Sequence, residues 1–279
     1  MTSRRHALIL SLAAPALLPG GMARAAALPD RPIRLVCPWA PGGTTDTYLR
    51  GMAAIAARHL GQQLVVENRA GASGSIALGW LKGQRPDGGV IAGVTDASFR
   101  LALVQSVPYD PVADFTTLAL TTTFEFGWAV RRDSPFQGLR DLVARARERE
   151  EGVSFAGGGT PGNPPFGMRL LERAAGARFL FVPFAGGGAM INAVMARDVD
   201  LVFDALGGIA GMVDGGALRC LAVAAERRFA RWPDVPTARE QGFDVVTDLP
   251  CGFVGPAGMA PGLVRLFEDG FRRAVADPE

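Results

Sequence analysis

Ile33-Arg34-Leu35-Val36-Cys37-Pro38-Trp39-Ala40-Pro41-Gly42-Gly43-Thr44-Thr45-Asp46 joins an apolar, β-branched run to a stretch of helical periodicity. The link is two glycines followed by three residues that cap helices well. Beyond it, Leu49, Met52, Ala53, Ala56 and Leu60 recur at the spacing of one helix face. The segment therefore reads as strand over 33–37, tight turn, helix over 46–60. The same order repeats downstream: strand 64–67, helix 75–81, strand 90–94. Strands alternating with helices imply a parallel sheet flanked by helices, an α/β fold.

The pattern restarts with a crossing strand over 126–131. A helix over 139–150, a strand over 153–156 and a helix over 166–175 follow, with further strands over 179–183, 199–204 and 218–224. A late strand over 251–255 and a helix over 262–276 close the chain. The first unit, 28–124, lacks a closing helix of its own, and 251–279 can return to it. This predicts two lobes joined by two crossings, one from 28–124 plus 251–279 and the other from 125–250. Such an arrangement opens and closes on a hinge.

The ends and the composition narrow the function classes. Arg4 and Arg5, an apolar run over 7–18 and Ala23-Arg24-Ala25 have the layout of a cleavable export signal over 1–25. Ser3-Arg4-Arg5 also resembles a twin-arginine pair. The formal net charge of +2 for all 279 residues falls slightly below zero once the leader's arginines are removed, so no basic face for nucleic acid is expected. Three cysteines, Cys37, Cys220 and Cys251, leave at least one free thiol, and one disulfide is open. Their spacing suits no metal, and no cofactor is expected. The two histidines are His6, in the leader, and His59. No Gly-x-Ser-x-Gly elbow is present, and Cys251 has no base but His59, so catalysis is not expected.

Ligands of α/β sheets sit beyond the carboxyl ends of strands, beside helix starts. Three loops have that position. In the first, Gly42, Gly43, Thr44 and Asp46 offer free helix N–H groups to an anion, or form an ordinary capped turn. The second, Asn68-Arg69-Ala70-Gly71-Ala72-Ser73-Gly74, makes a nest of N–H groups, or turns the chain while Arg69 pairs with a carboxylate. The third, Phe184-Ala185-Gly186-Gly187-Gly188, belongs to the second unit and could face the first across a cleft. A fourth glycine-rich loop over 157–163 brings Thr160 and Asn163, as ligand contacts or as a lid.

These segments resemble the Bug-type solute-binding proteins, the extracytoplasmic receptors of tripartite tricarboxylate transporters. Pro41-Gly42-Gly43-Thr44-Thr45-Asp46 is similar to their PGGxxD signature. Val65-Val66-Glu67-Asn68-Arg69-Ala70-Gly71-Ala72 is similar to VVENRxGA, and 107–115 to LPYDPxxDF. The stretch 182–204 follows VPYxGGGPA…VDLxFD, 232–237 follows LPDVPT and 255–258 follows APAG. The resemblance runs in order along nearly all of the mature chain.

It implies a two-lobed Venus flytrap fold in a periplasmic monomer that binds small carboxylates largely through backbone N–H groups. Its partners would be the transporter's membrane subunits or a sensor kinase. Carried over by position, the ligand neighbours are Gly42, Gly43, Thr44, Asp46, Ala72, Ser73, Thr95, Gly187 and Gly188. Phe184 stands where the family has tyrosine, Ala189 where it has proline, Ala193 where it often has aspartate and Pro165 where histidine is common. Asp96 replaces a small or hydroxyl residue. It either caps a helix or faces the cleft, where an ionised carboxylate would repel a dianion by about 1–4 kcal/mol. These departures favour a monocarboxylate, an amino acid or an amide. Family members also continue for some dozens of residues past Glu279, in a tail that completes the first lobe.

Overall fold

The computed structural model describes residues 27–150, 152–158, 165–184 and 186–278. The expected leader, Thr160 and Asn163 lie outside them. The first half contains β1 (Ile33–Cys37), α1 (Thr44–Leu60), β2 (Leu64–Asn68), α2 (Ser75–Leu81), β3 (Val90–Thr95) and α3 (Asp96–Arg100). A long strand follows, β4 (Phe115–Arg131). The second half holds α4 (Leu139–Glu148), β5 (Ser154–Gly158), α5 (Phe166–Ala175), β6 (Leu180–Phe184), α6 (Gly187–Ala196), β7 (Leu201–Ala205), α7 (Leu206–Asp214) and β8 (Leu218–Val223). The described chain closes with β9 (Asp248–Pro256) and α8 (Pro261–Val275).

β2, β1 and β3 are parallel neighbours, as are β6, β5 and β7. Parallel strands need a crossover, which α1 and α2 supply in the first set and α5 and α6 in the second. β3 is buried at every residue, the mark of a strand covered on both faces. The two parallel sets are linked by β9 and β4. β4 pairs antiparallel with β9 from Phe115↔Pro256 to Glu125↔Asp248, then with β7 from Phe126↔Ala205 onward and with β8. The order β2-β1-β3-β9-β4-β7-β5-β6 thus changes partners along the length of one strand.

The expected crossing strand over 126–131 is only the last third of β4. The first half is rich in threonine and partly exposed, so it lacks an apolar signature. Its partner arrives far along the chain, where Thr121 Oγ1 donates to the Cys251 carbonyl 130 residues later.

Each half has its own core. Leu35, Leu49, Ile91, Phe253 and Phe267 cluster in the first. Trp128, Phe155, Leu171 and Phe203 cluster in the second. α8 lies on the first core: Phe271 stacks on Phe253 with centroids 3.9 Å apart, and Gly270 has no Cβ to collide with Leu60 of α1. Burying a ring of this kind contributes about 2–3 kcal/mol. The three cysteines are all buried free thiols, so the open disulfide does not form. Burial pushes Cys37 up to about 11 and Cys251 to about 12, which keeps both protonated and unreactive near neutral pH.

Candidate ligand-binding cleft

The turn after β1 is built by Asp46. Gly42 has φ of 77°, a left-handed backbone natural to glycine, and Gly43 is extended as the residue before α1. The Asp46 carboxylate folds back to accept from Gly42 N–H at 2.9 Å, Asn68 Nδ2 at 2.7 Å and Arg50 Nε at 3.0 Å. Burial alone would raise its pKa, but these hydrogen bonds win and hold it below the usual carboxylate range. Asn68 Nδ2 also donates to the Trp39 carbonyl at 2.9 Å. The first loop is therefore tied to the end of β2, where the second begins.

The second loop carries four successive positive φ values, Gly71 at 133°, Ala72 at 45°, Ser73 at 52° and Gly74 at 89°. Ala72 and Ser73 pay a steric penalty there of order 1–3 kcal/mol each, a kind of strain concentrated at ligand clamps. Arg69 is engaged away from the cleft: Nη2 lies 2.6 Å from Glu67 Oε1, and the guanidinium carbon lies 3.9 Å from the Trp80 ring centroid.

A cavity of about 1060 Å³ lies between the halves. From the first half it is lined by Trp39, Gly43, Thr44, Ala72, Ser73 and Arg100, and from the second by Phe184, Gly187 and Asp204. The crossing strands add Phe124 and Phe126. The halves touch around it. A Cβ on Gly186 would sit 3.6 Å from Ala40 Cβ, and one on Gly208 would run into Thr44 Oγ1. The Arg100 guanidinium carbon lies 5.0 Å from the Phe166 ring centroid across the gap.

Of the residues expected to meet ligand, Gly43, Thr44, Ala72, Ser73, Phe184 and Gly187 line this cavity. Gly42, Asp46, Thr95, Asp96 and Gly188 do not. The Asp46 side chain is 4% exposed and holds the turn from behind. Thr95 is the buried residue before α3. Asp96, in the first turn of α3, reaches one turn along to Arg100 Nε at 2.8 Å, and Arg100 takes the place in the cavity wall that Asp96 was expected to have.

The expected ligand contacts left out Trp39, Arg100 and Asp204, which also line the cavity. The Trp39 Nε1, Thr44 Oγ1 and Asp204 Oδ2 atoms are buried with no hydrogen-bond partner among the described residues. Arg100 Nε, 2.8 Å from Asp96, is likewise without a hydrogen bond among them. Buried polar atoms are nearly always paired, so unpaired atoms gathered in one cavity leave hydrogen-bonding capacity there to be met. Asp204 Oδ1 accepts from Ala205 N–H at 2.8 Å. Burial outweighs that bond and raises the Asp204 pKa to about 6. A signal for Asp204 existed, because it stands at the carboxyl end of a strand in an α/β sheet. Among the described residues no group of side chains is arranged to hold a metal ion, and no helix is long and apolar enough to cross a membrane.

Comparison with known proteins agrees with this geometry. Residues 48–279 match the family described as tripartite tricarboxylate transporter family receptor. A "UPF0065 protein in gbd 5'region" of Cupriavidus necator is 32% identical over 256 residues, spanning 92% of this chain and 78% of the relative. MatC of Rhodopseudomonas palustris, solved with bound malate, superposes with a TM-score of 0.83 at 28% identity, covering 90% of this chain and 86% of MatC. Rpa4515 of R. palustris, solved with adipate, gives 0.80 at 26% identity, covering 87% and 82%. The fold is the two-lobed one of periplasmic binding proteins, and the chain belongs to the tripartite tricarboxylate transporter receptor family.

Proposed function

We propose that this chain captures a small organic acid between its lobes and presents the closed form to the membrane subunits of a transporter. The observation that carries this reading is the single cavity lined by glycine-rich helix starts and orphaned polar atoms from both lobes. Relatives of the same fold hold malate and adipate, both carboxylates. Helix starts favour anions through unsatisfied N–H groups and the helix dipole.

The hinge lies where β4 changes partners, at 125–126, and where the chain enters β9, at 247–248. Bonding on the two sides of those points belongs to different lobes: Glu125 pairs with Asp248, whereas Thr247 N–H donates to the Ala224 carbonyl at 2.8 Å. Ligand held by one lobe gains the contacts of the other only on closure, which shifts the population toward the closed form. Export uses residues 1–25 as a cleavable leader, and amino-terminal sequencing of the periplasmic protein tests this.

A thermal-shift screen of mono-, di- and tricarboxylates, amino acids and amides on solute-free protein tests the capture reading. Carboxylates are expected to raise Tm, and no response to any of them would overturn it. Gly43→Asp is expected to weaken binding of the best carboxylate at least about tenfold through like charge. A Cβ there meets only the Ala40 carbonyl, at 3.5 Å, and aspartate is a good residue before a helix. Tm without ligand should therefore hold or rise. Calorimetric titration reads the affinity, and an unchanged value would remove this turn from the site.

A further inference from the structure

The orphaned atoms of the cleft are of opposite kinds. Trp39 Nε1 can only donate a hydrogen bond, whereas an ionised Asp204 can only accept. Both are buried and without a partner among the described residues, and both residues line the same cavity. A ligand with acceptors alone satisfies Trp39 and leaves a bare carboxylate facing its own.

The surroundings of Asp204 leave its Oδ2 without a counter-charge. A Cβ on Gly187 would lie 3.1 Å from Oδ2 and one on Gly208 3.0 Å from it, so the starts of α6 and α7 close around that oxygen with residues that have no side chain. Thr44, reaching over from α1, is neutral. The other charged residues of the cavity wall are Arg100, held by Asp96 at 2.8 Å, and Arg169, which lies 3.9 Å from Glu172. Much of the remaining wall is apolar, with Phe124, Phe126 and Phe166 prominent.

We propose that the captured acid carries an N–H donor, an ammonium or an amide, that hydrogen-bonds to Asp204 Oδ2, together with an apolar body that rests on the rings. This rests on the capture of an organic acid argued above and narrows its class. The acid group is served by Trp39 Nε1 and the helix starts, the N–H group by Asp204, and the wall selects for bulk. A plain dicarboxylate would leave Asp204 unpaired, with its second anionic end either against that carboxylate or drawn to Arg100 and Arg169, which Asp96 and Glu172 already face.

The test is calorimetric titration of phenylalanine, N-benzoylglycine and 3-phenylpropionate, which share a ring and a carboxylate and differ in the N–H donor. At least one of the two N–H acids should bind about tenfold or more tighter than 3-phenylpropionate, the effect of one charge-assisted hydrogen bond. In Asp204→Ala, shown to be folded by its Tm and circular dichroism, that advantage should fall below about twofold. Its affinity for the wild type should also weaken as pH falls through about 6, where Asp204 takes up a proton.

The proposal is overturned if 3-phenylpropionate binds as tightly as both N–H acids, or if the advantage survives in Asp204→Ala. It is equally overturned if 3-phenylpropionate tightens as pH falls while the N–H acids do not weaken, since Asp204 would then donate its own proton to a carboxylate. If all three probes fail while malate or adipate binds, the N–H assignment falls and the capture of an acid stands. If no carboxylate binds at all, the capture reading falls.

Discussion

Gly208→Val is expected to weaken binding of every ligand by about a hundredfold while leaving the Tm of the free protein within a few degrees of wild type. A Cβ at this position would run into Thr44 Oγ1, which belongs to the opposite lobe. An alanine there could be absorbed by rotating the Thr44 side chain, whereas valine adds two methyl groups beyond the Cβ that already collides. Overpacking of this kind costs about 1–3 kcal/mol, and the part of it that falls on Thr44 is felt only when the lobes meet. In the open form the position sits on α7, where valine is a better helix former than glycine by a few tenths of a kcal/mol. The cost against Thr44 therefore falls on closure rather than on folding.

Adding Thr44→Ala to Gly208→Val should recover at least about fivefold of the lost affinity, because the coupling between two residues in contact is not additive. Calorimetric titration of the four proteins reads that coupling. No recovery would mean that crowding of Asp204, 3.0 Å from the same Cβ, is the cause instead. Full affinity in Gly208→Val would show that the lobes do not close on this contact.

Asp204→Asn is the second large effect, and its sign is opposite for stability and for function. Burial raises the Asp204 pKa in the folded protein to about 6, from the ordinary value of 3.8 expected in the unfolded chain. The folded state thus binds the proton more tightly than the unfolded state does. Asp204 costs nothing on this account below the unfolded pKa. Its penalty grows as pH rises from about 4 to about 6 and is complete above that. A shift of this size corresponds to a penalty on the order of 3 kcal/mol.

Asparagine keeps the shape and removes the charge. Urea unfolding near pH 7.5 should show the variant more stable by about 2–3 kcal/mol, and the difference should vanish near pH 4. A gap of the same size at both values would mean that Asp204 does not hold a buried charge. The same substitution should weaken binding of an ammonium ligand. A residue that destabilises the free protein and improves capture is the usual compromise of a binding site.

The alternating architecture was legible because β1 and β3 are apolar runs between glycine-rich turns, and such runs keep their meaning without knowledge of their neighbours. The helix starts were legible for a similar reason, since glycines and threonines at 42–45 carry local conformational preferences. The first half of β4 was not, because a threonine-rich strand declares itself only through its partner β9. Asp46 was expected among the ligand contacts, and the structure places it behind the turn rather than in the cavity wall. Its hydrogen bonds come from Gly42 and Arg50 close by in sequence and also from Asn68 on another element, so it supports the turn. For Asp96 the sequence left a helix-capping and a cleft-facing reading open, and Arg100 four residues on offers the intrahelical partner that the structure shows.

Asp204 and Trp39 mark the boundary of what a sequence can say. Read alone, the chain determined its α/β class, its family and the glycine turns that begin its helices, because local periodicity, capping chemistry and motif order are properties of neighbours along the chain. Tertiary structure alone decided which of those turns share a cavity and which buried polar atoms go unpaired there. Whether a hydrogen-bonding group finds a partner depends on surfaces brought together from distant parts of the chain.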